Sequence, residues 1–268
     1  MEPDFQKLAE LLEDRFGDIS KVTWVFGSFS ENTQNGFSDV DIATVTIDEE
    51  SAVQIETMSE SLSKTYNLNL DIVPFSENNI NQRCSHNDYL LGSVLKNPLH
   101  LFGDKTFLNE LVRKLYSKKP TEDSVKYNLL QSIYVFDICM SYFEEFKFYS
   151  RKLLHDTFPE VDAYKTLVFE NAFGKELRGE NLDVRIANRR LFDSLKNIPV
   201  SAGYKLASQK IKALGRTVDL SDLRRYTETP EELFFNDAYD YYKSHKNRDA
   251  EPLKVRDYLK TLSDMLQN

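Results

Sequence analysis

Strand-like sequence in this chain is confined to the part before about residue 105, and that segregation most constrains what it can fold into. KVTWVF (21–26), SDVDIATVTI (38–47) and NLNLDIVPF (67–75) are short runs rich in β-branched and aromatic residues, and PLHLFGD (98–104) is a candidate fourth strand. Helical periodicity falls between them. Phe5, Leu8, Leu11, Leu12 and Phe16 repeat at helical spacing over 4–16, as do Val53, Ile55, Met58 and Leu62 over 50–65, and a further helix is expected over about 77–96. Beyond 105 the sequence is amphipathic and helical in seven stretches: 105–118, 122–157, 160–172, 181–196, 203–214, 231–246 and 253–267. Pro120, Pro159, Pro199, Pro230 and Pro252 stand between them, where helices stop or start. The expected organisation is a small α/β domain over 1–104 followed by an all-helical domain over 105–268.

Composition narrows the class. With 41% apolar and 29% charged residues, 18 Phe and 14 Tyr, the chain has ample material for packed cores, which excludes disorder. The N-terminus lacks a basic, then apolar, leader pattern, and no apolar run is long enough to span a bilayer, so no membrane is expected and a cytoplasmic location is. Cys84 and Cys139 match no zinc spacing and read as buried free thiols. Charge is unevenly spread. Residues 1–119 hold 11 basic against 19 acidic side chains, whereas 175–225 hold 12 basic against 6 acidic. The first part is thus suited to holding cations and the second to meeting a polyanion.

Side chains on a strand alternate between faces, so Asp39, Asp41 and Ala43 share one face of the second strand while Val40, Ile42 and Thr44 share the other. In the third strand Leu68, Leu70 and Ile72 lie opposite Asn69 and Asp71. If the two strands are neighbours, three carboxylates converge on one sheet face. Carboxylates held that close repel unless a cation sits among them, and hard oxygen donors on a rigid sheet suit Mg²⁺. Gly27-Ser28 ends the first strand. A strand ending in Gly-Ser with a helix opening after it presents backbone N–H groups to a phosphate, and Gly permits close approach. Carboxylates, metal and phosphate cradle are the parts that nucleotidyl transfer needs: two Mg²⁺ ions (Mn²⁺ as a substitute) stabilising the entering and leaving oxygens of an in-line attack.

VFGSFSENTQNGFSDVDIATV followed by LNLDIVPF resembles the DNA polymerase β-type nucleotidyltransferase superfamily, whose signature is Gly-Ser, about ten residues, Asp-x-Asp and a later lone Asp on a strand. The resemblance covers about 20–104. It implies an α+β fold: a small mixed sheet with helices on one face, here followed by the all-helical region. It also implies NTP, with ATP the first expectation, as the donor of a nucleoside monophosphate. Carried over by position, Gly27, Ser28 and Ser38 bind the nucleotide, and Asp39, Asp41 and Asp71 bind metal and are the catalytic carboxylates.

The acceptor is open between a small hydroxylated molecule, such as a cationic antibiotic drawn to an acidic cleft, and an RNA 3′ end. A toxin- or antitoxin-type enzyme acting on RNA or protein, and a catalytically silent NTP-binding regulatory module, are the alternatives. The oligomeric state is not legible. The basic stretch 175–225 (Arg178, Arg185, Arg189, Arg190, Lys205, Lys210, Lys212, Arg216, Arg224, Arg225) is a candidate RNA surface. Arg151 and His155 fall one residue short of an Arg-x4–6-His nuclease spacing, and with Lys147 and Lys152 could instead reach NTP phosphates. His86, Glu144, Glu145 and Glu170 carry no assigned role.

Overall fold

The computed structural model describes residues 5–31, 39–66, 70–140, 184–245 and 252–267. Four strands, β1 (Ser20–Phe26), β2 (Val40–Thr46), β3 (Leu70–Ser76) and β4 (Leu99–Gly103), form one mixed sheet in the order β3-β2-β1-β4. β1 is antiparallel to both its neighbours, and β2 runs parallel to β3. A parallel pair needs a crossover, and α2 (Glu49–Tyr66) supplies it. The first unit also contains α1 (Phe5–Phe16), α3 (Glu77–Ser85), α4 (Tyr89–Val94) and α5 (Lys105–Ser117).

Alternation along the strands builds two cores. On one face Val25, Val40, Ile42, Leu70 and Ile72 pack with Leu8, Leu12 and Phe16 of α1 and with Ile55 and Leu62 of α2. On the other, Val22, Trp24, Ala43, Val45 and Phe75 pack with Ile80 and Cys84 of α3, Leu91 and Val94 of α4, and Leu108, Leu111 and Leu115 of α5. Burial of side chains of this size contributes about 1.5–3 kcal/mol each. The Trp24 indole N–H donates to Val94 O at 3.0 Å, so the polar end of the bulkiest core side chain is satisfied. The face that carries Asp41 and Asp71 is therefore covered by helices over its Ala43, Val45 and Phe75 half.

The chain divides into two compact units, Met1–Ser124 with Ile211–Leu220, and Val125–Lys210 with Ser221–Asn268. The first runs past residue 104 because α5 lays Leu108, Leu111 and Leu115 into the same core as Trp24. It then takes in a returning segment. Thr217 Oγ1 donates to Leu115 O at 3.0 Å, and the Leu220 N–H donates to Ser93 Oγ at 2.9 Å. A Cβ on Gly92 would lie 2.9 Å from Val218 O, so this close approach requires glycine.

The helix expected over 77–96 is two helices. Asn87 has φ 51°, which ends α3, and Asp88 caps α4 by accepting from the Leu91 N–H at 2.8 Å. Asn87 is fully buried, donating to Lys118 O and Thr217 Oγ1 and accepting from Ser124 Oγ. Those bonds offset the strain of its backbone.

The second unit is built mostly from α6 (Glu122–Met140), α7 (Val184–Leu214), α8 (Leu220–Arg224), α9 (Pro230–Ser244) and α10 (Pro252–Gln267), with the first residues of α6, the last turn of α7 and the first residue of α8 falling in the first unit. Pro199 does not separate two helices as its position suggested; it lies inside the single helix α7. A proline there removes one hydrogen bond and crowds the carbonyl four residues back. Tertiary bonds hold the helix on both sides of it. Ser132 and Ser201 donate reciprocally to each other's carbonyls at 2.6 and 2.7 Å, and Ser194 Oγ donates to Cys139 O at 3.4 Å. Pro230 behaves as expected, at the first turn of α9 behind a Thr229/Glu232 capping box. Among the described residues no helix is long and apolar enough to cross a membrane.

Candidate active site

The site grows out of strand register. Asp41 in β2 lies directly beside Asp71 in β3, and on its other side faces Phe26, the last residue of β1. Partners in adjacent strands share a face and stand about 4.8 Å apart, so the two carboxylates are lateral neighbours. Asp39 is two residues earlier on the same strand line, just before β2 begins, and all three are half-buried. Gly27 follows Phe26 with φ 70°, and a Cβ placed on it would stand 2.5 Å from Asp41 Oδ2. The glycine serves two physical ends at once. It takes a left-handed turn that L side chains resist, and it leaves the volume that the Asp41 carboxylate fills.

After Gly27 the chain turns. The Glu31 N–H donates to Gly27 O at 3.1 Å, and Ser30 Oγ donates to the same oxygen at 3.0 Å. Ser28 is in this turn, half-buried. Phe29 packs edge-on against Phe5 of α1, ring centroids 6.0 Å apart, which fastens the turn to the first helix. The helix expected to open here is not seen over 27–31, which form a turn, and Ser38 lies outside the described residues. So do Arg151, His155, Lys147, Lys152, Glu144, Glu145, Glu170 and the first part of the basic stretch, including Arg178. Of the nucleotide and metal residues expected, the structure brings together Gly27, Asp41 and Asp71, with Ser28 next to Gly27 in the turn and Asp39 two residues before Asp41 in the chain.

Among the described residues no three His, Cys, Asp or Glu side chains are already gathered into a metal cage. The donor set still suits a hard cation. Mg²⁺ is commonly held by one or two carboxylates together with substrate phosphates and water, which asks for a pair such as Asp41 and Asp71 rather than a closed protein shell. The two thiols contribute nothing to such a site. Cys84 and Cys139 are buried, and burial pushes the Cys84 thiol up to about 11 and that of Cys139 higher still, so neither is a thiolate near neutrality.

Sequence reasoning missed a second set of groups around the turn. Lys96, just past α4, reaches Glu31 Oε1 at 3.6 Å and Asp219 Oδ1 at 3.2 Å. Asp219 is 123 positions from Lys96 in the chain, and no local pattern joins them.

Comparison with known proteins adds to this geometry. Residues 6–96 match the family model described as Polymerase beta, Nucleotidyltransferase. No curated protein matches the chain. Among solved structures, a toxin-antitoxin crystallised with AMP-PNP is 20% identical over 42% of this chain and 84% of that one, with a TM-score of 0.32. A mutant of the toxin-antitoxin MntA-HpeT gives 20% identity, the same coverage and a TM-score of 0.31. A nucleotidyltransferase-like protein from Exiguobacterium sibiricum 255-15 is 10% identical over 98% of this chain and 74% of its own, with a TM-score of 0.33. With the Gly-Ser turn, the Asp-x-Asp strand and the lone Asp on a neighbouring strand in one sheet, residues 6–96 are a nucleotidyltransferase domain of the polymerase β family.

Proposed function

We propose that the protein transfers a nucleoside monophosphate from an NTP, with ATP the first candidate, to an acceptor hydroxyl, releasing pyrophosphate. The observation that carries this reading is the juxtaposition at the strand ends: Asp41 beside Asp71 in register, with a glycine at position 27 that leaves room for the Asp41 carboxylate. Asp39, Asp41 and Asp71 hold Mg²⁺. The bound ions supply charge stabilisation at the entering and leaving oxygens and lower the pKa of the acceptor hydroxyl. Gly27 and Ser28 grip the triphosphate through backbone N–H groups and the Ser28 hydroxyl, with Ser38 as a further nucleotide contact. The strand framework keeps this chain's carboxylates at fixed spacing, so alignment is provided before substrate arrives.

The acceptor is either a small hydroxylated molecule or an RNA 3′ end, and the assay that tests the function also divides these. Purified protein is incubated with each α-³²P-labelled NTP and Mg²⁺, together with total cell RNA or a panel of small hydroxylated acceptors. Mg²⁺-dependent label on RNA assigns an RNA-directed transferase and gives Lys205, Lys210 and their basic neighbours a phosphate-binding task. Label on a small molecule assigns the other class. NTP binding without label on any acceptor, protein hydroxyls included, moves the chain to the silent regulatory reading.

A further inference from the structure

We propose that Lys96 is a positioning residue for the nucleotide site, holding the Gly27-Ser28 turn in its triphosphate-binding shape by a strut that runs from the returning segment 217–220 through Lys96 to Glu31. The inference rests on the NTP reading above for its consequence, though not for its geometry. Glu31 closes the turn: its N–H bonds to Gly27 O, and its carboxylate lies 3.6 Å from the Lys96 ammonium. Lys96 in turn donates to Asp219 Oδ1 at 3.2 Å.

The far end of the strut is rigid. Asp219 is only 7% exposed at its side chain and sits between two anchored neighbours, Thr217, bonded to Leu115 O and to Asn87, and Leu220, whose N–H bonds to Ser93 Oγ. Val218 O is pressed against Gly92. A carboxylate fixed in this way fixes the ammonium, and the ammonium restrains Glu31.

The charge balance explains why Lys96 acts as a strut rather than as a phosphate ligand. Two carboxylates flank one ammonium that is 24% exposed, so its charge is already compensated, and one of its N–H groups is committed to Asp219 Oδ1. The Lys96–Asp219 half of the strut is shielded and screened little by salt, whereas Glu31, 34% exposed at its side chain, makes the weaker and more salt-sensitive half.

The test uses full-length protein and four variants, Lys96→Met, Glu31→Gln, the double variant and Lys96→Arg. The readouts are hydrogen exchange of the 27–31 amides without nucleotide, Mg-ATP affinity, and KM and kcat. Lys96→Met and Glu31→Gln are each expected to speed exchange in the turn and to weaken Mg-ATP binding by roughly five- to tenfold, raising KM with little change in kcat. The double variant is expected to be no worse than Lys96→Met, because that change already cuts the link to Glu31 along with the one to Asp219. Lys96→Arg is expected to restore most of the affinity. Unchanged exchange at 27–31 in a folded Lys96→Met protein overturns the proposal, even if affinity falls, since that pattern belongs to a direct phosphate ligand. Faster exchange in a protein that binds no NTP at all leaves the strut standing and overturns the function instead.

Discussion

The two halves of one sheet face behave in opposite ways. Asp41 and Asp71 share a face with Ala43, Val45 and Phe75, one or two steps of the strand repeat away, yet the latter three are buried under α3, α4 and α5 while the carboxylates stay half-buried. Backbone geometry does not distinguish the halves, since the β2–β3 register runs unbroken from Val40↔Leu70 to Thr46↔Ser76. Residue chemistry does. Apolar side chains toward the ends of β2 and β3 recruit the helices, and carboxylates near their starts exclude them, so the same continuous sheet supplies both the anchor and the open floor of a site.

The largest expected effect comes from moving the boundary between the halves. Val45→Asp carries the chemistry of the open half into the closed one, leaving a charge at a position with no exposed surface. The cost is about 3–5 kcal/mol, a large share of a domain stability of about 5–15 kcal/mol. Loss of the cooperative thermal transition, or a Tm lowered by more than ten degrees or so, is the expected result; a Tm within a few degrees of the parent would mean that the closed half is not sealed.

The opposite exchange should separate function from folding. Asp41→Asn keeps shape and volume but removes a charge beside Asp71. Metal-dependent transfer is expected to fall by roughly a thousandfold or more, whereas Tm is expected to hold or rise slightly because carboxylate repulsion is relieved. Unchanged transfer by the purified variant would sink the mechanism, and a large fall in Tm would mean that Asp41 belongs to the packing of the closed half.

Much of this face was legible beforehand because it depends on short-range rules. Period-two alternation put Asp39 and Asp41 together, and β-branched runs marked the strands that the structure shows as Ser20–Phe26, Val40–Thr46 and Leu70–Ser76. What the sequence could not state was pairing: that Asp71 stands beside Asp41, or that Gly27 is shaped around the Asp41 carboxylate, follows from register and from φ 70° at Gly27. Long-range closure was hidden altogether. Nothing local joins Lys96 to Asp219, or Asn87 to Thr217 at 130 positions' separation, and local turn rules do not reach that far. Pro199 misled for the same reason. Its helix-breaking tendency is intrinsic, but the Ser132–Ser201 bonds that hold α7 beside it are tertiary.

Gly27→Ala is the smallest of these changes and the sharpest test of how the two halves meet. One methyl group is added where the backbone has φ 70°, which costs about 1–2 kcal/mol for an L residue. The methyl also starts 2.5 Å from Asp41 Oδ2, so either the turn or the carboxylate must shift. Val22, Trp24, Ala43 and Val45 lie on the closed side of the face and have no reason to respond. The expected outcome is a modest Tm loss of a few degrees with transfer reduced about a hundredfold, the scale of a misplacement near one ångström at a reacting centre. Equal losses in Gly27→Ala and in a Gly27→Ala/Asp41→Asn double variant relative to Asp41→Asn alone would show two independent faults. Non-additive losses, with the double variant no worse than Asp41→Asn, would show that the glycine acts through the placement of that carboxylate, as the 2.5 Å approach requires.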